Sequence, residues 1–212
     1  MNLIRCVVPT LNSGSTLEMT LLSLRNQIAQ HVDVIVADSG STDRTLEICS
    51  KWGIPVIYVP PGNMYKAVNA GLNESEAQWL AYLNSDDWIY PDCYSKLMEL
   101  GERTGADVVY GNCHYTDGEG RFVYSFSAAE PEKLLSLFRL RRMGFAQQTC
   151  IFRRSAYKTL KGFDENFFFR SDGDFFVRAL LSDMVFSKYD GPPVACFRLQ
   201  EKQFSKSWSG TY

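Results

Sequence analysis

The chain has 212 residues, a formal net charge of −2 at pH 7 and a sequence pI of about 5.7. This length fits one large domain with a substantial core. Its 45% apolar and 22% charged residues are typical of a soluble globular protein. No positive field is available for nucleic acid, which argues against nucleic acid as the main partner.

The cysteines and the apolar runs indicate the compartment. Six cysteines are scattered without a CxxC pair and only two histidines are present, so a zinc site is not expected. Cysteines in apolar runs behave as small hydrophobic residues, and a reducing cytoplasm is their simplest setting. The chain opens into a predicted strand without a signal peptide, and no apolar run approaches the ~20 residues of a spanning helix. We therefore expect a cytoplasmic protein.

The first 90 residues predict strands that alternate with helices. Apolar and β-branched runs predict strands over 3–8, 32–37, 54–59 and 79–83. A capping box at Ser15–Glu18 opens the first helix, whose apolar face comprises Leu17, Leu21, Leu24 and Ile28. Further helices are predicted after Thr42 and over 65–72. The alternation implies right-handed crossovers and a parallel sheet, which is a nucleotide-binding half of the Rossmann type.

The second half of the chain is less regular. Helices are predicted over 92–101, 131–140 and 175–181, and strands over 107–111, 145–152 and 194–199. One Asp-Gly pair and one Glu-Gly pair within 115–127 predict a hairpin. No repeat or linker divides the chain. We predict one domain over 1–212, with a nucleotide-binding half of about 1–90 and an acceptor-binding half of about 91–212.

The fourth predicted strand runs directly into Asn84, Ser85, Asp86 and Asp87. In open α/β sheets, ligands bind outside the carboxyl ends of the strands. Two adjacent acids repel each other, and a divalent cation with hard oxygen ligands would offset that repulsion. The alternative is a solvated turn whose Asp caps the helix after Pro91.

The loops after the first two predicted strands indicate which kinds of nucleotide-binding site are absent and which is possible. Residues 9–15 carry one glycine, so the GxGxxG loop of a dinucleotide fold is absent, as are a P-loop and the Gly-rich loop of nucleotidyltransferases. Asp38 ends the second predicted strand, where a carboxylate can accept hydrogen bonds from a base or a ribose. Its alternative role is an Asx-turn or a helix cap, and Asp43 is the more obvious cap.

Six segments together carry a resemblance to a known family. They are Pro9–Asn12, Asp38–Asp43, Gly62 through Gly71, Leu83–Trp88, Gly162–Glu165, and Ser171–Phe175 with Arg178. In this order and spacing the chain resembles glycosyltransferase family 2, whose members have the GT-A fold and use nucleotide-sugar donors. The likeness covers residues 3 to about 199.

The resemblance implies a fold, a chemistry and a set of site residues. The fold would be α/β of the GT-A type: a Rossmann-like, mostly parallel central sheet flanked by helices, with a smaller mixed β acceptor part. Asp86, in the position of the family's DxD motif, would hold Mg²⁺ or Mn²⁺ against the donor diphosphate. Asp172 would be the general base of an inverting enzyme, and Gln147 and Gln148 would line the acceptor site. The implied donor-binding residues are Pro9, Thr10, Asn12, Asp38, Gly62, Lys66, Asn69, Asn84, Ser85 and Asp86.

Elementary chemistry agrees with these roles. Departure of a nucleoside diphosphate builds negative charge that a metal at Asp86 would offset as a Lewis acid. A carboxylate within hydrogen-bond reach can take the proton of the attacking hydroxyl. Among the later acids we favour Asp172 as this base, since Asp174 is expected to cap a helix. Arg178 either pairs with Asp174 or acts in the site.

The chain departs from the family pattern at three places. Asn84 stands where many relatives have Asp, which lowers the charge of the site, although related subgroups also have Asn there. Lys66 replaces an expected acid and is a candidate to touch the donor phosphate. No histidine follows His114, whereas the family often supplies a late histidine to the metal.

One segment of the second half mixes cations with bulky apolar residues. Residues 137–145 carry three arginines among Leu, Phe and Met. Such a mixture suits an anionic membrane surface, at the inner face of the membrane, or a lipid-diphosphate acceptor. The alternative is an acceptor loop with solvated arginines.

We therefore expect a metal-dependent, inverting glycosyltransferase of cell-surface polysaccharide or glycoconjugate synthesis. It would move a sugar from a nucleotide-sugar donor, most commonly a UDP-sugar in this family, to a hydroxyl of a glycan or lipid-linked acceptor. GDP and dTDP donors stay open. The rival interpretations are a catalytically silent binding or scaffold subunit and a nucleotidyltransferase that makes the donor.

Overall fold

The structure is a computed structural model that describes residues 3–27, 32–168 and 170–200. Its strands are β1 (Ile4–Thr10), β2 (Val32–Asp38), β3 (Val56–Tyr58), β4 (Trp79–Tyr82), β5 (Trp88–Ile89), β6 (Val108–Gly111), β7 (Cys113–Thr116), β8 (Phe122–Phe126), β9 (Ile151–Arg153), β10 (Phe186–Tyr189) and β11 (Ala195–Arg198). Its α-helices are α1 (Leu17–Arg25), α2 (Thr45–Trp52), α3 (Met64–Asn73), α4 (Cys93–Thr104), α5 (Pro131–Arg139), α6 (Arg154–Thr159) and α7 (Ser171–Leu181).

The central sheet has seven strands in the order β10-β6-β9-β4-β1-β2-β3. β1 pairs in parallel with both β2 and β4, so that Ile4 lies between Val32 and Trp79. Only β9 runs antiparallel to its neighbours in this sheet. The predicted α/β architecture with a mostly parallel central sheet is confirmed. The carboxyl ends of β1, β2 and β4 consequently open on one edge.

A smaller mixed sheet of four strands has the order β5-β11-β7-β8. β7 and β8 form the hairpin predicted within 115–127. The chain passes from the large sheet to the small one at Asn112, which lies between β6 and β7. The Asn112 side chain donates to the Gly191 carbonyl at 3.0 Å and accepts from the Ala128 N–H at 2.9 Å, which fixes the junction.

Helices cover both faces of the large sheet, and each face has its own apolar cluster. On one face Leu21 of α1, Ile48 of α2 and Leu97 of α4 pack on the strands. On the other face Val68 of α3 and Phe175 of α7 do so. Each such buried side chain contributes about 1.5–3 kcal/mol to folding. This double covering explains why the strands of the sheet are nearly continuous apolar runs.

Three local predictions were wrong. α1 has no side-chain cap; Glu18 instead accepts from Lys51 Nζ at 2.8 Å, so the capping box is absent. Residues 145–152 are not one strand, because Gln147–Thr149 forms a 3-10 turn before β9. α7 begins at Ser171, so Asp174 lies inside the helix rather than at its cap. The predicted Ile28 position of the α1 face lies outside the described residues.

All six cysteines are free and buried. Burial raises the pKa of the Cys6 thiol to about 12 and that of Cys49 to about 11, so both stay protonated at neutral pH. The longest helix of the described ranges, α4, has 12 residues. No helix in those ranges combines the length and apolar character needed to cross a bilayer.

Replacing Gly71 with Ala should destabilise the fold, because α3 lies directly on β1 there. An added Cβ would lie 2.6 Å from Val7 Cγ2 and 3.3 Å from Ile35 Cγ2, and Val7 is fully buried. Overpacking of this kind costs about 1–3 kcal/mol, against a helix-propensity gain of up to about 1 kcal/mol. We expect a net loss of about 1–2 kcal/mol in the free energy of unfolding, measured by urea denaturation.

Gly118→Ala is the matched control. Among the described residues its added Cβ would meet only the Leu199 carbonyl oxygen, at 4.0 Å, and the free energy of unfolding should change by less than about 0.5 kcal/mol. A Gly71→Ala protein as stable as the parent would contradict the close packing of α3 on β1.

Candidate functional site

The loops that follow β1, β2 and β4 meet at one edge of the large sheet. The hydroxyl oxygens of Ser13 and Ser85 lie 2.6 Å apart and join the first loop to the third. The Asn12 N–H donates to Ser41 Oγ at 2.8 Å, and the Thr42 N–H donates to Asn12 Oδ1 at 2.9 Å. These bonds make one continuous polar wall from three segments that are distant in sequence.

Asp38 is fully buried at the end of β2 and is saturated with hydrogen bonds. Its Oδ2 accepts from the N–H groups of Gly40 and Ser41, both at 2.9 Å, and its Oδ1 accepts from the hydroxyls of Thr10 at 2.8 Å and Ser41 at 2.5 Å. Burial alone would raise the pKa of this carboxyl, but the hydrogen bonds outweigh it and hold the pKa below its ordinary value. The Asx-turn that was the alternative role of Asp38 is therefore present.

The first loop is shaped by Asn12 and anchored by Asp43. Asn12 has a φ of 54°, a left-handed conformation in which Asn is several-fold enriched, and it is exposed at the loop tip. Pro9 and Thr10 lie buried just before it. Asp43 accepts from the Gly14 N–H at 2.8 Å and the Thr45 N–H at 3.0 Å, and it thereby holds the first loop to the start of α2.

The acids after β4 differ in their surroundings. Asp87 is 1% exposed and accepts from Gln148 Nε2 at 2.6 Å, Asn84 Nδ2 at 3.1 Å and the Arg198 N–H at 2.9 Å. Burial, together with the charge of Asp86, raises the pKa of Asp87 to about 8. Burial also raises the pKa of Asp86, against the opposing effects of the Arg198 charge and of a hydrogen bond from Gln200 Nε2 at 2.9 Å.

The residues after β4 have the donor set of a hard-cation site. Asn84 Oδ1 is buried and has no hydrogen-bond partner within the described residues, while Asn84 Nδ2 is committed to Asp87. Buried polar atoms are rarely left unsatisfied, and an amide oxygen beside carboxylates suits Mg²⁺ or Mn²⁺. No group of three or more His, Cys, Asp or Glu in the described ranges is placed to hold a metal. A cation here would therefore complete its shell with substrate phosphate, as Mg²⁺ usually does.

Gln147 and Gln148 are both buried and face the segment around β4. Gln148 donates to Asp87, and Gln147 Nε2 donates to the Tyr82 carbonyl at 2.8 Å. Gln147 Oε1 is buried without a partner among the described residues. Of the two residues predicted to bind acceptor, Gln147 therefore has a side-chain oxygen without a hydrogen-bond partner among the described residues, whereas Gln148 holds Asp87.

Asp172 lies in the first turn of α7 and is partly exposed. Its Oδ1 accepts from the Gly173 N–H at 2.9 Å and from Tyr65 Oη at 3.1 Å. Burial raises the pKa of Asp172, and those two hydrogen bonds and the Arg170 charge work against the rise. A carboxyl in this setting is a better proton acceptor than one in water, which suits a general base.

Asp174 and Arg178 have a structural role. They pair at 2.7 Å on successive turns of α7. Arg178 also donates to the carbonyls of Leu160 at 2.5 Å and Gly162 at 2.9 Å. This is the pairing that the sequence offered as one of two alternatives, and it fixes the segment before Phe163 to α7.

The α3 residues predicted to bind donor do not share one environment. Asn69 is buried; it donates to the Phe163 carbonyl at 2.8 Å and to Glu165 Oε1 at 3.0 Å, and it accepts from Tyr157 Oη at 2.8 Å. It therefore fastens the 163–165 loop to α3. Gly62 has a φ of 125° in the loop before α3, and Lys66 is exposed on the helix.

Sequence reasoning missed two features of the site. Asn63 caps α3 by accepting from the Tyr65 N–H at 2.8 Å, and its Nδ2 donates to the Glu165 carbonyl at 2.5 Å. Asp87 was noted only as a neighbour of Asp86, although it is the acid that ties β4, the 3-10 turn and β11 together. The adjacent acids were the sole signal for Asp87, since its partners Gln148 and Arg198 lie 61 and 111 residues away.

Comparisons with known proteins identify the family of the chain. The family model described as glycosyl transferase family 2 matches residues 6–161. A PGL/p-HBAD biosynthesis glycosyltransferase of Mycobacterium bovis is 24% identical over 205 residues, which are 90% of this chain and 75% of that protein. Glycosyltransferase GlyA of Streptococcus pneumoniae is 30% identical over 127 residues, 57% of this chain and 18% of GlyA.

Solved structures share the fold. S. aureus TarS 1-349 in complex with UDP-GlcNAc superposes with a TM-score of 0.77 at 20% identity, over 100% of this chain and 62% of that one. Mannosyltransferase PcManGT of Pyrobaculum calidifontis, in complex with GDP-Man and Mn²⁺, superposes with a TM-score of 0.71 at 16% identity, over 97% of this chain and 59% of that one. The chain thus spans about three fifths of these solved chains. The likeness confirms the predicted GT-A fold.

Replacing Asp87 with Asn should flatten the dependence of stability on pH. The folded-state pKa of about 8 lies above the ~3.9 of an unfolded Asp. The stability linked to this carboxyl is therefore fully present below about pH 4 and is lost as the pH rises through 8. Relative to Asp87→Asn, the parent should lose at least about 1 kcal/mol of unfolding free energy between pH 5 and 8, measured by urea denaturation.

Glu132→Gln, which removes an exposed carboxylate from α5, controls for the change in net charge. Parallel stability curves for the parent and Asp87→Asn would show that Asp87 is ionised in the folded protein throughout this range.

Proposed function

Because the chain belongs to glycosyltransferase family 2, we propose that it transfers a sugar, with inversion, from a nucleotide-sugar donor to a hydroxyl of a glycan or lipid-linked acceptor. One observation carries the proposal. At the edge where β1, β2 and β4 end, a polar wall meets a half-buried Asp86 and a partnerless oxygen of Asn84. A nucleoside diphosphate has the two parts that such an edge suits, a polar base with ribose and a charged diphosphate.

The donor nucleoside would bind along the wall of Pro9, Thr10, Asn12 and Asp38. In the present structure the Asp38 oxygens are occupied by two backbone N–H groups and two hydroxyls. A base N–H that bonded to Asp38 would replace a hydroxyl, because hydroxyls rotate and the backbone donors are fixed. Lys66, exposed on α3, would approach the diphosphate, while Gly62 and Asn69 would shape the loops around it. A UDP-sugar remains the favoured donor, and the fold neighbours hold UDP-GlcNAc and GDP-Man.

Asp86 and the Asn84 amide oxygen would hold Mg²⁺ or Mn²⁺ together with the donor diphosphate, with Ser85 between them. When bound, the cation supplies Lewis-acid stabilisation of the charge that develops on the departing diphosphate. Asp87 stays buried behind them and fixes Asn84 through the bond to Asn84 Nδ2. This division of roles keeps one of the two adjacent acids out of direct contact with the substrate.

Asp172 would take the proton of the acceptor hydroxyl as that oxygen attacks the anomeric carbon. The bond between this carbon and the diphosphate oxygen breaks in the same displacement, and the configuration is inverted. Tyr65 would orient the Asp172 carboxylate, since it donates to Oδ1 and leaves Oδ2 for the substrate. Gln147 Oε1 would accept from another acceptor hydroxyl.

Thermal-shift titration of UDP, dTDP and GDP, each with and without Mn²⁺, tests the donor site. A ligand that binds only the folded state stabilises it by about 2.7 kcal/mol at a hundred times its Kd. We expect a metal-dependent rise in melting temperature with one nucleotide, and Asp86→Ala should abolish it. Glu119→Ala, on the exposed β7–β8 turn, should retain it. No shift with any nucleotide would support the silent binding subunit instead.

Asp172→Asn should separate chemistry from donor binding. General-base catalysis contributes about 10²–10⁴ in rate, so transfer should fall by that factor while the nucleotide-induced thermal shift is unchanged. Nucleoside diphosphate release in the presence of acceptor measures the rate. Transfer at the parental rate would show that another group takes the proton.

Tyr65→Phe should move the acidic limb of the pH–rate profile to higher pH. The Tyr65 hydrogen bond lowers the pKa of Asp172, so its loss raises that pKa and the base is ionised only at higher pH. A hydrogen bond to a charged group is worth about 1.5–3 kcal/mol, which corresponds to a shift of about one unit or more. Tyr124→Phe on β8 is the control. If the acidic limb of the Tyr65→Phe profile stayed at the parental pH, Asp172 would not be the base.

A further inference from the structure

An exposed cationic and apolar surface lies at the end of α5. It consists of Arg139, Leu140, Arg141, Arg142 and Met143, all of them exposed, and we call it the arginine rim. Leu140 is 69% exposed and Met143 37% exposed. Folding has left two apolar side chains in water between three guanidinium groups.

The arginine rim is fastened beside Asp172. A Cβ added to Gly173 would lie 3.8 Å from Met143 Sδ and 3.9 Å from Arg170 Cβ, so both residues flank the position next to Asp172. Below this surface Phe138 and Phe145 pack on Phe176 of α7, with ring centroids 6.4 Å and 4.8 Å apart. The α5 end and the first turns of α7 are therefore one packed unit that carries the rim and Asp172 together.

Two carboxylates of α5 and α7 have cationic partners outside the rim. Asp174 pairs with Arg178 at 2.7 Å, and Glu130 pairs with Lys188 at 2.6 Å. Glu130 and Glu132 lie at the opposite end of α5, and a helix of nine residues is about 13 Å long. The cations are thus concentrated locally in a chain whose net charge is −2.

Helix stabilisation explains only part of the rim. Arg139 in the last turn of α5 complements the helix dipole. Arg141 and Arg142 lie beyond the helix, and the exposure of Leu140 gains nothing for folding. Exposed apolar groups among cations are the pattern of surfaces that lie in the headgroup region of a bilayer.

We propose that the arginine rim docks this face on an anionic lipid bilayer, so that Asp172 receives its acceptor from the membrane. The arginines would contact lipid headgroups, while Leu140 and Met143 would enter the apolar boundary. The identity of the acceptor as a lipid-linked molecule depends on the proposed transferase function. The docking itself does not, so the two can fail separately.

Co-sedimentation of the full chain with vesicles tests the docking. Vesicles of phosphatidylcholine with about a third phosphatidylglycerol should bind the protein, and binding should weaken with salt. Each arginine near such a surface is worth about 1 kcal/mol, or about fivefold in partitioning. Arg141→Gln with Arg142→Gln should therefore weaken binding about 25-fold, and Leu140→Ser should weaken it further. Pure phosphatidylcholine vesicles should bind far less.

The matched control is Arg25→Gln with Arg103→Gln, which removes the same charge from the exposed ends of α1 and α4. It should bind anionic vesicles like the parent, and all variants should keep the parental melting temperature. Equal binding by the rim variant and the parent would overturn the proposal. The proposal would also be overturned if the rim bound soluble diphosphate but not vesicles. That result would make the rim a binding site for a phosphate group. The nucleotide thermal shift, measured on the same proteins, tests the transferase function independently.

Discussion

The parallel pairing of β1 with both β2 and β4 is the constraint on which the site depends. Ile4 lies opposite Val32 on one side and Trp79 on the other, so the three strands begin together and run in the same direction. β1 and β2 end opposite each other at Thr10 and Asp38, and β4 ends at Tyr82, opposite Val7. Three loops that are about 30 and 70 residues apart in the chain must then meet at one edge, where the Ser13–Ser85 and Asn12–Ser41 contacts join them. Apolar packing on both faces holds this register, because a shift of one residue would move every side chain of a strand from one packed cluster to the other.

The pKa values of the three acids at this edge are shifted in opposite directions. Asp38 is surrounded by donors that lower its pKa, so its charge is fixed and its main effect is to order two loops. Asp86 and Asp87 receive fewer donors and repel each other, and the pKa values of both are raised. The ionised form of Asp38 is thus stabilised where it orders the loops. The ionised forms of Asp86 and Asp87, beside the partnerless Asn84 oxygen, are destabilised. An approaching cation would relieve that cost, which is a physical reason for the edge to bind one.

The sequence predicted the parts of the fold that depend on local pattern. The four strands of the first half and the β7–β8 hairpin were predicted because apolar runs and turn residues lie next to each other in the chain. β5 has two residues and is stabilised by pairing with β11, more than 100 residues later, so no local pattern could reveal it. The apolar run at 145–152 was misassigned because Gln147 and Gln148 satisfy distant partners instead of a ladder. At the site, motif resemblance supplied Asp86 and Asp172, whereas the partners of Asp87 became visible only in three dimensions.

The connections of Asp87 also bear on the order in which the protein assembles. Its carboxylate joins β4 to Gln148 and to the backbone of Arg198, contacts that span 61 and 111 residues. Contacts of such sequence separation form late, since the intervening chain must first be ordered. On a ribosome, the first 90 residues can pair β1, β2 and β4 well before Arg198 has been synthesised. Until then the Asp87 carboxylate is open to water and ionised, whereas in the finished protein burial raises its pKa to about 8 and favours the protonated form.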